Sequence, residues 1–381
     1  MSCKIVIATI MRPRGETGVQ SHFNTFLKYL SDSGADASLI TPFSASALLV
    51  YPTFALRRLI DPLNGNASVW WYRHWHYVFL RCALSIALRD GIPITVYAQC
   101  TLSAKAALQA RKGRQQRVMM VTHMNVSEGD EWAAKGRIRR GGIMDLSIKR
   151  MERTILPKLD GLVYVSRFMR ETLIQQIPAI DAVRSVVIPN FVAEPPAQRP
   201  ALPVADIITI GTLEPRKNQR YLVQVLAAAK RIGRIYTMSI VGGGPERERL
   251  ESLSKSLGVS EQIRFLGFQP KATELIPGHR VYCHGATMES FGIVLVEAMA
   301  HGLPVFAAPV GGVPELFSDG VEGYYWPLDD PVEGAHRLIS VLDNELRYGT
   351  LSDAARKKFR QFYEQSNVGR QLQEFLCSMQ Q

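Results

Sequence analysis

Residues Glu289 to Glu297 read E-S-F-G-I-V-L-V-E and place two carboxylates eight residues apart, on either side of a Ser-Phe-Gly turn. The apolar run after Gly292 predicts a helix that begins at this glycine. A helix start offers unpaired backbone N–H groups and the positive end of the helix dipole, which together suit a phosphate. Carboxylates repel phosphate but accept hydrogen bonds from hydroxyl groups. A phosphate flanked by hydroxyls is the chemistry of a nucleotide sugar.

The two glutamates also have a simpler interpretation, which is a solvated helix face. Glu297 lies within V-L-V-E-A-M-A, an otherwise apolar helical run. An unpaired carboxylate would be costly to bury there. The position therefore favours a carboxylate that meets a partner, and a ligand is one candidate.

The length and the order of elements predict two α/β domains. The chain has 381 residues, of which 46% are apolar and 21% charged, and this is more than one ordinary core accommodates. Apolar β-branched runs alternate with helical patterns, which is typical of parallel, doubly wound sheets with ligands at the carboxyl ends of their strands. The predicted strands are Lys4–Ile10, Ile92–Ala98, Arg117–His123, Gly161–Val165, Ser185–Ile188, Asp206–Ile210, Ile235–Val241, Gln262–Leu266, Val281–His284, Pro304–Ala308 and Gly323–Trp326. The proline-rich stretch Ala193–Pro203 predicts a linker between the domains.

Positive charge is concentrated in the first half of the chain. Residues 1–200 hold 26 of the 45 Lys and Arg residues but 14 of the 34 acidic ones, so they carry a net charge of +12 and the remainder −1. Such a half suits an anionic membrane or an anionic substrate. The sequence has no helix-turn-helix, zinc-finger or RNA-recognition signature, so no nucleic-acid partner is predicted.

The cysteines and the N-terminal sequence indicate a cytoplasmic protein. Cys3, Cys82, Cys100, Cys283 and Cys377 are dispersed without a C-x-x-C pair, which is typical of free thiols in a reducing compartment and predicts no metal site. The start of the chain resembles a first strand more than a signal sequence, and no run is apolar enough to span a membrane. The predicted location is the cytoplasm, with peripheral association at the inner face of the membrane as an option.

Two segments of the first half suggest a surface partner. Residues 70–81 read W-W-Y-R-H-W-H-Y-V-F-L-R, and residues 135–142 read K-G-R-I-R-R-G-G. The aromatic segment fits a buried helix, a membrane-interface patch or a platform for sugar rings. We hypothesise that residues 70–81 and 135–142 rest on anionic lipid and present a lipid-linked glycan.

The double-glutamate segment resembles the E-x7-E signature of the retaining glycosyltransferases of family 4. Seven other segments occur in the order of that family: Gly18 in R-G-E-T-G-V-Q, His123 after V-M-M-V-T, Ser166 after G-L-V-Y-V, V-I-P-N-F-V at 187–192, I-G-T-L-E-P-R-K-N, V-G-G-G-P and I-R-F-L-G-F. The resemblance implies a GT-B fold, an α/β architecture in which two Rossmann-like domains face a central cleft. Residues 1–195 would bind the acceptor, with a final helix at about 366–381 packing back on them, and residues 204–365 would bind the nucleotide sugar.

Two adjacent cations, Arg216 and Lys217, follow a predicted strand and suit a diphosphate. An ordinary basic loop is the alternative. Many members of the family carry an arginine where this chain has Thr212, so Arg216 is its expected substitute. We interpret the nearby V-G-G-G-P as a structural turn beside the nucleotide.

The resemblance also implies a role for each site residue. His123 would contact the donor sugar, although a histidine at a strand end is also often a satisfied polar residue. Glu289 would accept from a hydroxyl of the transferred sugar and Glu297 from the ribose. The predicted catalytic residues are Glu289, His123, Arg216 and Lys217, and the predicted donor-binding residues are Gly18, Arg216, Lys217, Ser290, Phe291, Gly292, Ile293 and Glu297.

The resulting functional hypothesis is a hexosyltransferase. It would move a hexose, with retention, from a UDP- or GDP-linked sugar to a polysaccharide or lipid-linked oligosaccharide. No D-x-D pair is present, so protein cations rather than a metal or cofactor are expected to meet the diphosphate. The alternatives are a sugar phosphorylase, a nucleotide-sugar epimerase, and a non-catalytic GT-B protein that binds nucleotide sugars or polyanions.

Overall fold

The computed structural model describes residues 3–15, 17–124, 126–196 and 203–378. They form two compact units. The first unit comprises the described residues up to Asn190 together with those from Val368 onward. The second comprises the described residues of Phe191–Asn367.

The first unit alternates strands and helices around a six-stranded sheet. Its elements are β1 (Lys4–Ala8), α1 (Gly18–Asp32), β2 (Ala37–Ile40), α2 (Ala47–Ile60), α3 (Gly65–Ala87), β3 (Ile94–Ala98), α4 (Thr101–Ala110), β4 (Gln116–Thr122), α5 (Glu128–Ala134), α6 (Ile143–Ile155), β5 (Gly161–Tyr164), α7 (Arg167–Gln176) and β6 (Ser185–Val187).

The second unit repeats this architecture and ends in three consecutive helices. Its elements are β7 (Ala205–Ile210), α8 (Gln219–Arg231), β8 (Met238–Val241), α9 (Arg247–Ser256), β9 (Ile263–Gly267), β10 (His279–His284), α10 (Ile293–Ala300), β11 (Val305–Ala307), β12 (Gly323–Tyr325), α11 (Pro331–Leu342), α12 (Glu345–Phe362) and α13 (Gln365–Cys377). From Val368 onward α13 belongs to the first unit, where the Tyr29 hydroxyl donates to Gln373 Oε1 at 3.3 Å.

Both sheets are parallel, and the strand order locates their ligand-binding edges. The first sheet runs β2-β1-β3-β4-β5-β6 and the second β12-β11-β10-β7-β8-β9. From β1 the chain runs first to β2, on one side of β1, and then to β3, on the other side of β1. In the second sheet it likewise runs from β7 to β8 on one side and later to β10 on the other side of β7. In doubly wound sheets, ligands bind where the strand order reverses, beyond the carboxyl ends of the strands. The loops after β1 and β3, and those after β7 and β10, are therefore the expected sites.

Burial explains why these segments are strands. Ile5, Val6, Ile7 and Ala8 in β1 are each at most 1% exposed, because helices cover both faces of a parallel sheet. A continuous apolar run of this kind has no polar alternation to signal an exposed face. Capping residues in the sequence also indicate where helices begin. At the start of α1, Thr17 and Gln20 form a capping box.

The predicted α/β architecture of two Rossmann-like units is confirmed by these two sheets. Each of the predicted strands is present with ends shifted by no more than three residues. β2 was not predicted. It is a four-residue edge strand, A-S-L-I, that pairs with β1 alone. The predicted linker Ala193–Pro203 lies partly outside the described residues, as do the last residues of the predicted helix 366–381.

The aromatic segment 70–81 lies in α3 and faces largely inward. Phe79, Leu80, His76 and Arg73 are buried, and Arg73 Nη1 forms an ion pair with Glu128 Oε2 at 2.7 Å. Trp71 and Trp75 are half-buried. Trp70, which is 51% exposed, is the exception among the three tryptophans. This burial favours a packed aromatic helix over an exposed aromatic platform.

The basic segment 135–142 is on the surface. Lys135, Arg137, Arg139 and Arg140 are exposed. Arg140 forms an ion pair with Asp130 at 3.4 Å. Arg137 forms an ion pair with Asp61 at 2.9 Å, so part of the positive charge of this segment is compensated. Among the helices of the described residues, none combines the length and the hydropathy that a membrane span requires.

Candidate functional site

Two loops meet at the strand reversal of the second sheet, one after β7 and one after β10. The backbone N–H of Thr287 donates to the Arg216 carbonyl at 2.9 Å. Arg216 Nη1 in turn donates to the Met288 carbonyl at 2.9 Å. Main-chain hydrogen bonds thus fix the loop that carries the two cations against the loop that carries the first glutamate.

Glu289 is the centre of a charged cluster in these loops. Its Oε2 lies 2.5 Å from Lys217 Nζ, 3.2 Å from His284 Nε2 and 3.6 Å from Arg216 Nη1. All three groups contact the same oxygen, so Oε1 takes no part in these contacts. The Glu289 residue is 8% exposed. A buried carboxylate with two cations is stable in its ionised form.

The environment of Glu289 holds it in that form. Burial on its own would raise the pKa of Glu289, but Lys217, His284 and Arg216 more than offset this effect and leave the pKa well below its ordinary value. Burial lowers the pKa of His284. A neutral His284 must carry its proton on Nε2 to donate to Glu289.

The turn between the two glutamates begins α10, as predicted. Gly292 is the N-cap residue and has a φ of 91°, a backbone conformation that residues other than glycine rarely adopt. Among the described residues, no side chain caps this helix, so its first N–H groups are not satisfied by a capping side chain. Ser290 and Phe291 are buried. Ile293 is half-buried at the first position of the helix.

Glu297 lies one turn into α10 and is half-buried rather than fully buried. Its charge is close enough to Tyr282 to contribute to the raised pKa of that buried phenol, which is chiefly a result of burial. Partial contact with solvent therefore lowers the free-energy cost of burying this carboxylate, which its apolar sequence neighbours had suggested would be high.

The segment V-G-G-G-P is part of the framework of the same edge. The Gly242 N–H donates to the Gly267 carbonyl at 2.8 Å, and the Leu213 N–H donates to the Gly243 carbonyl at 2.9 Å. These bonds join the ends of three neighbouring strands. The segment is thus a structural turn, and it lies beside the loop of Arg216.

Gly311 offers a test of how Glu289 is positioned. Gly311 has a φ of 58°, and a Cβ there would lie 2.0 Å from the Glu289 carbonyl oxygen. We expect Gly311→Ala to cost about 1–3 kcal/mol in the free energy of unfolding and to displace the Glu289 backbone. Thermal unfolding and binding of UDP or GDP measure the two effects.

The matched control for that variant is Gly349→Ala in α12. A Cβ at Gly349 meets no atom within 4 Å, so this change should be neutral or slightly stabilising. Equal effects of the two substitutions would contradict the role of Gly311.

Gly18 and His123 belong to the first unit, at the reversal of its sheet. Gly18 is the first residue of α1. One turn later, His22 is buried against the Tyr97 hydroxyl at 3.1 Å, and its ring centroid lies 4.8 Å from that of His123. His123 Nε2 lies 3.3 Å from Gln99 Oε1, and His123 lines a cavity of about 250 Å³.

Both histidines are neutral near neutral pH. Burial lowers the pKa of His22 to about 3. Burial and the neighbouring His22 hold the pKa of His123 well below its ordinary value. His123 can therefore donate or accept a hydrogen bond in the cavity, but it is not a source of positive charge. Ser166 has a structural role, since its hydroxyl caps α7 by accepting from the Met169 N–H at 3.2 Å.

The structure thus brings together Arg216, Lys217 and Glu289 in the second unit. It places His123 and Gly18 in the first. Sequence reasoning missed His284 and His22. The sequence did contain a signal for His284, because it is the last residue of an apolar strand, and His123 directly follows such a strand. His22 lies inside a helix, and its contact with Tyr97 could not be predicted from the sequence.

These features define a class of protein. Two doubly wound units, one of which gathers two cations, a carboxylate and an uncapped helix start at its strand reversal, form a GT-B protein. Known families match consecutive parts of the chain: "Glycosyltransferase Family 4" over residues 17–194 and "Glycosyl transferases group 1" over residues 195–358. The chain therefore belongs to the glycosyltransferases of family 4 type.

Individual relatives differ in how much of the chain they match. The N-acetyl-alpha-D-glucosaminyl L-malate synthase of Bacillus anthracis is 33% identical over 155 residues, or 40% of this chain and 41% of that protein. The chain thus spans less than half the length of that relative. The phosphatidyl-myo-inositol mannosyltransferase of Mycolicibacterium smegmatis is 27% identical over 93% of this chain and 88% of that protein.

Solved structures show the same fold. The sucrose-phosphate synthase of Thermosynechococcus elongatus superposes with a TM-score of 0.73 at 17% identity, covering 100% of this chain and 99% of that one. At this level of identity the likeness concerns the fold alone.

Proposed function

We propose that the protein is a retaining hexosyltransferase that uses a nucleotide-diphosphate sugar. One observation carries this proposal: Arg216, Lys217 and Glu289 converge at the strand reversal of the second sheet, beside the start of α10. The glycosyltransferases whose names are given above support the class of reaction. The diphosphate would meet Lys217, Arg216 and the first N–H groups of α10.

The chemistry of this arrangement follows from charge. Cleavage of the anomeric C–O bond leaves negative charge on the departing nucleoside diphosphate and positive charge on the sugar. Lys217 and Arg216 would stabilise the diphosphate, and loss of one such group typically costs about 10²–10³ in rate. Glu289 Oε1 would accept from a sugar hydroxyl, and Glu297 from the ribose. Because protein cations meet the diphosphate, the proposed reaction needs no metal or cofactor.

The first unit would supply contacts to the sugar and to the acceptor. His123 is neutral, so it would position a sugar hydroxyl through a hydrogen bond, not act through charge. Gly18 would let the start of α1 approach the reacting groups. The proposed acceptor is a polysaccharide or a lipid-linked oligosaccharide.

A donor panel tests the proposal. The protein is incubated with UDP- and GDP-linked hexoses, with and without EDTA, and release of the nucleotide is followed. We expect turnover or slow donor hydrolysis with one base, unchanged by EDTA. Binding without either reaction would instead favour the non-catalytic alternative. The anomeric configuration of the product, read by NMR, tests retention.

A further inference from the structure

His284 is the last residue of β10, the strand that leads into the loop of Glu289, and it is 3% exposed. The Trp326 indole N–H donates to the His284 carbonyl at 3.1 Å. Two residues earlier on the same face of the strand, the Tyr282 hydroxyl donates to the Ile210 carbonyl at 3.2 Å. The ring centroids of Tyr282 and His284 lie 6.3 Å apart. Burial and these hydrogen bonds hold the His284 imidazole in a fixed orientation.

The imidazole reaches the carboxylate of Glu289. The distance between His284 Nε2 and Glu289 Oε2 is 3.2 Å, which is within hydrogen-bond range. Burial, together with the charges of Lys217 and Arg216, keeps the pKa of His284 below its ordinary value, although Glu289 opposes this effect. The ring is therefore neutral near neutral pH and donates to the carboxylate through its Nε2–H.

The two cations beside Glu289 attract the carboxylate but direct it less closely. Lys217 carries a compact charge on a flexible stem. Arg216 directs its donors to other acceptors, since Nη1 donates to the Met288 carbonyl and Nη2 to Glu214, each at 2.9 Å. The 3.6 Å between Arg216 Nη1 and Glu289 Oε2 is an ion-pair distance, too long for a hydrogen bond. The rigid imidazole is thus the contact that fixes the direction of the carboxylate.

The three groups also differ in how a bound donor would affect them. In the proposed complex the diphosphate attracts Lys217 and Arg216, so their attraction for Glu289 is shared with the phosphates. The neutral imidazole of His284 has no charge to attract a phosphate, and it remains on Oε2. Because all three contacts are made with Oε2, this arrangement leaves Oε1 of Glu289 to the sugar.

We propose that His284 is a positioning residue for Glu289, which holds Oε2 through its Nε2–H so that Oε1 faces a hydroxyl of the transferred sugar. The effect on sugar transfer rests on the proposed function, whereas the hydrogen bond between the two side chains does not. His284 acts through Glu289 and does not itself touch the donor.

Two substitutions at position 284 test the proposal in steady-state kinetics. His284→Leu removes the N–H and should lower kcat at least about tenfold, the size expected for one hydrogen bond to a charged group. His284→Gln supplies an amide N–H near the position of Nε2 and should restore kcat to within about threefold of the wild type. The KM of the nucleotide sugar and the binding of UDP or GDP should be nearly unchanged in both variants, because the contacts to the diphosphate remain.

His279 provides a matched control on the same strand. It is the first residue of β10 and is 5% exposed, and its Nε2 lies 2.8 Å from Ser239 Oγ. The two histidines are at opposite ends of the strand, so His279 is at the edge of the sheet remote from the loop of Glu289. His279→Leu should lower the melting temperature but leave kcat at the wild-type level. A purely structural role of His284 would make the two leucine variants alike in kcat.

The hydrogen bond itself can be tested without turnover. In protein labelled with nitrogen-15 histidine, the NMR shifts of the ring nitrogens report the tautomer, and the signals missing from His284→Gln identify those of His284. We expect a neutral ring protonated at Nε2 near neutral pH. Glu289→Gln should move these signals, whereas Glu261→Gln, at an exposed position, should not. This measurement tests the proposal even if His284→Leu does not fold.

The outcomes separate this proposal from the proposed function. A ring protonated at Nδ1 alone, or signals that do not respond to Glu289→Gln, would overturn the hydrogen bond. A folded His284→Leu protein with wild-type kcat, or a His284→Gln protein as slow as His284→Leu, would overturn the positioning role. Absence of wild-type turnover with every UDP- and GDP-linked hexose would instead remove the proposed function, and the expected nitrogen signals would then leave the hydrogen bond standing.

Discussion

Lys217→Ala is expected to reduce turnover about 10²–10³-fold while leaving the fold intact. Lys217 Nζ lies 2.5 Å from Glu289 Oε2, and its side chain is 15% exposed. The ammonium is thus held at the loop edge, where the proposed diphosphate departs. Without the Lys217 ammonium, the negative charge that develops on the leaving diphosphate would lose a stabilising cation. Single-turnover rates with saturating donor measure the effect.

The control for this variant is Lys255→Ala. Lys255 is exposed at the end of α9, and its removal lowers the net charge of the second unit by the same amount. Donor turnover should remain at the wild-type level. A folded Lys217→Ala protein with near-normal turnover would exclude Lys217 from the reaction.

Glu289→Gln is expected to impair both stability and activity. Removing the carboxylate leaves Lys217 in a poorly solvated loop without its counter-charge, whereas Arg216 keeps its ion pair with Glu214 at 2.9 Å. Breaking a buried ion pair typically costs about 3–5 kcal/mol. We also expect turnover to fall at least about tenfold, because the proposed charged hydrogen-bond partner of the sugar is lost. UDP or GDP should raise the melting temperature of the variant more than that of the wild type, since the diphosphate replaces the missing negative charge.

The pH dependence of stability gives an independent measure of Glu289. Its pKa is depressed in the folded protein, so ionised Glu289 contributes stability above its ordinary pKa of 4.5 and loses that contribution as the pH falls toward the folded value. The stability difference between wild type and Glu289→Gln should be constant above about pH 5 and narrow below it. The control Glu261→Gln, at an exposed position, should not show this pH-dependent difference in stability from the wild type. A pH-independent difference would mean that Glu289 is not stabilised as an ion.

Much of the fold was readable because the strands are buried on both faces. Continuous apolar runs such as Val118–Val121 have one interpretation when turn residues bound them and helical patterns follow. β2 escaped notice because Ala37–Ile40 is short and only partly buried, so neither alternation nor a long apolar run marks it. The resemblance to family 4 is confirmed by the two family matches.

The site was only partly readable, for a physical reason. Arg216 and Lys217 are adjacent in sequence and were predicted to meet a diphosphate, but their ion pairs with Glu289 were not predicted. The contact of His22 with Tyr97 depends on packing between α1 and β3, which no local pattern encodes. α2 shows the same limit, since leucines on a helix usually indicate a core face, and here they are exposed.

The way the two loops of the proposed donor site are joined has a consequence for engineering. Thr287 and Gly312 donate main-chain hydrogen bonds to the carbonyls of Arg216 and Glu289, and the Thr287 hydroxyl also donates to the Arg216 carbonyl at 3.3 Å. The scaffold of this edge therefore does not depend on the side chain at 288. Libraries randomised at Met288 should therefore keep a folded host. Altered sugar preference can be selected there without first restoring stability.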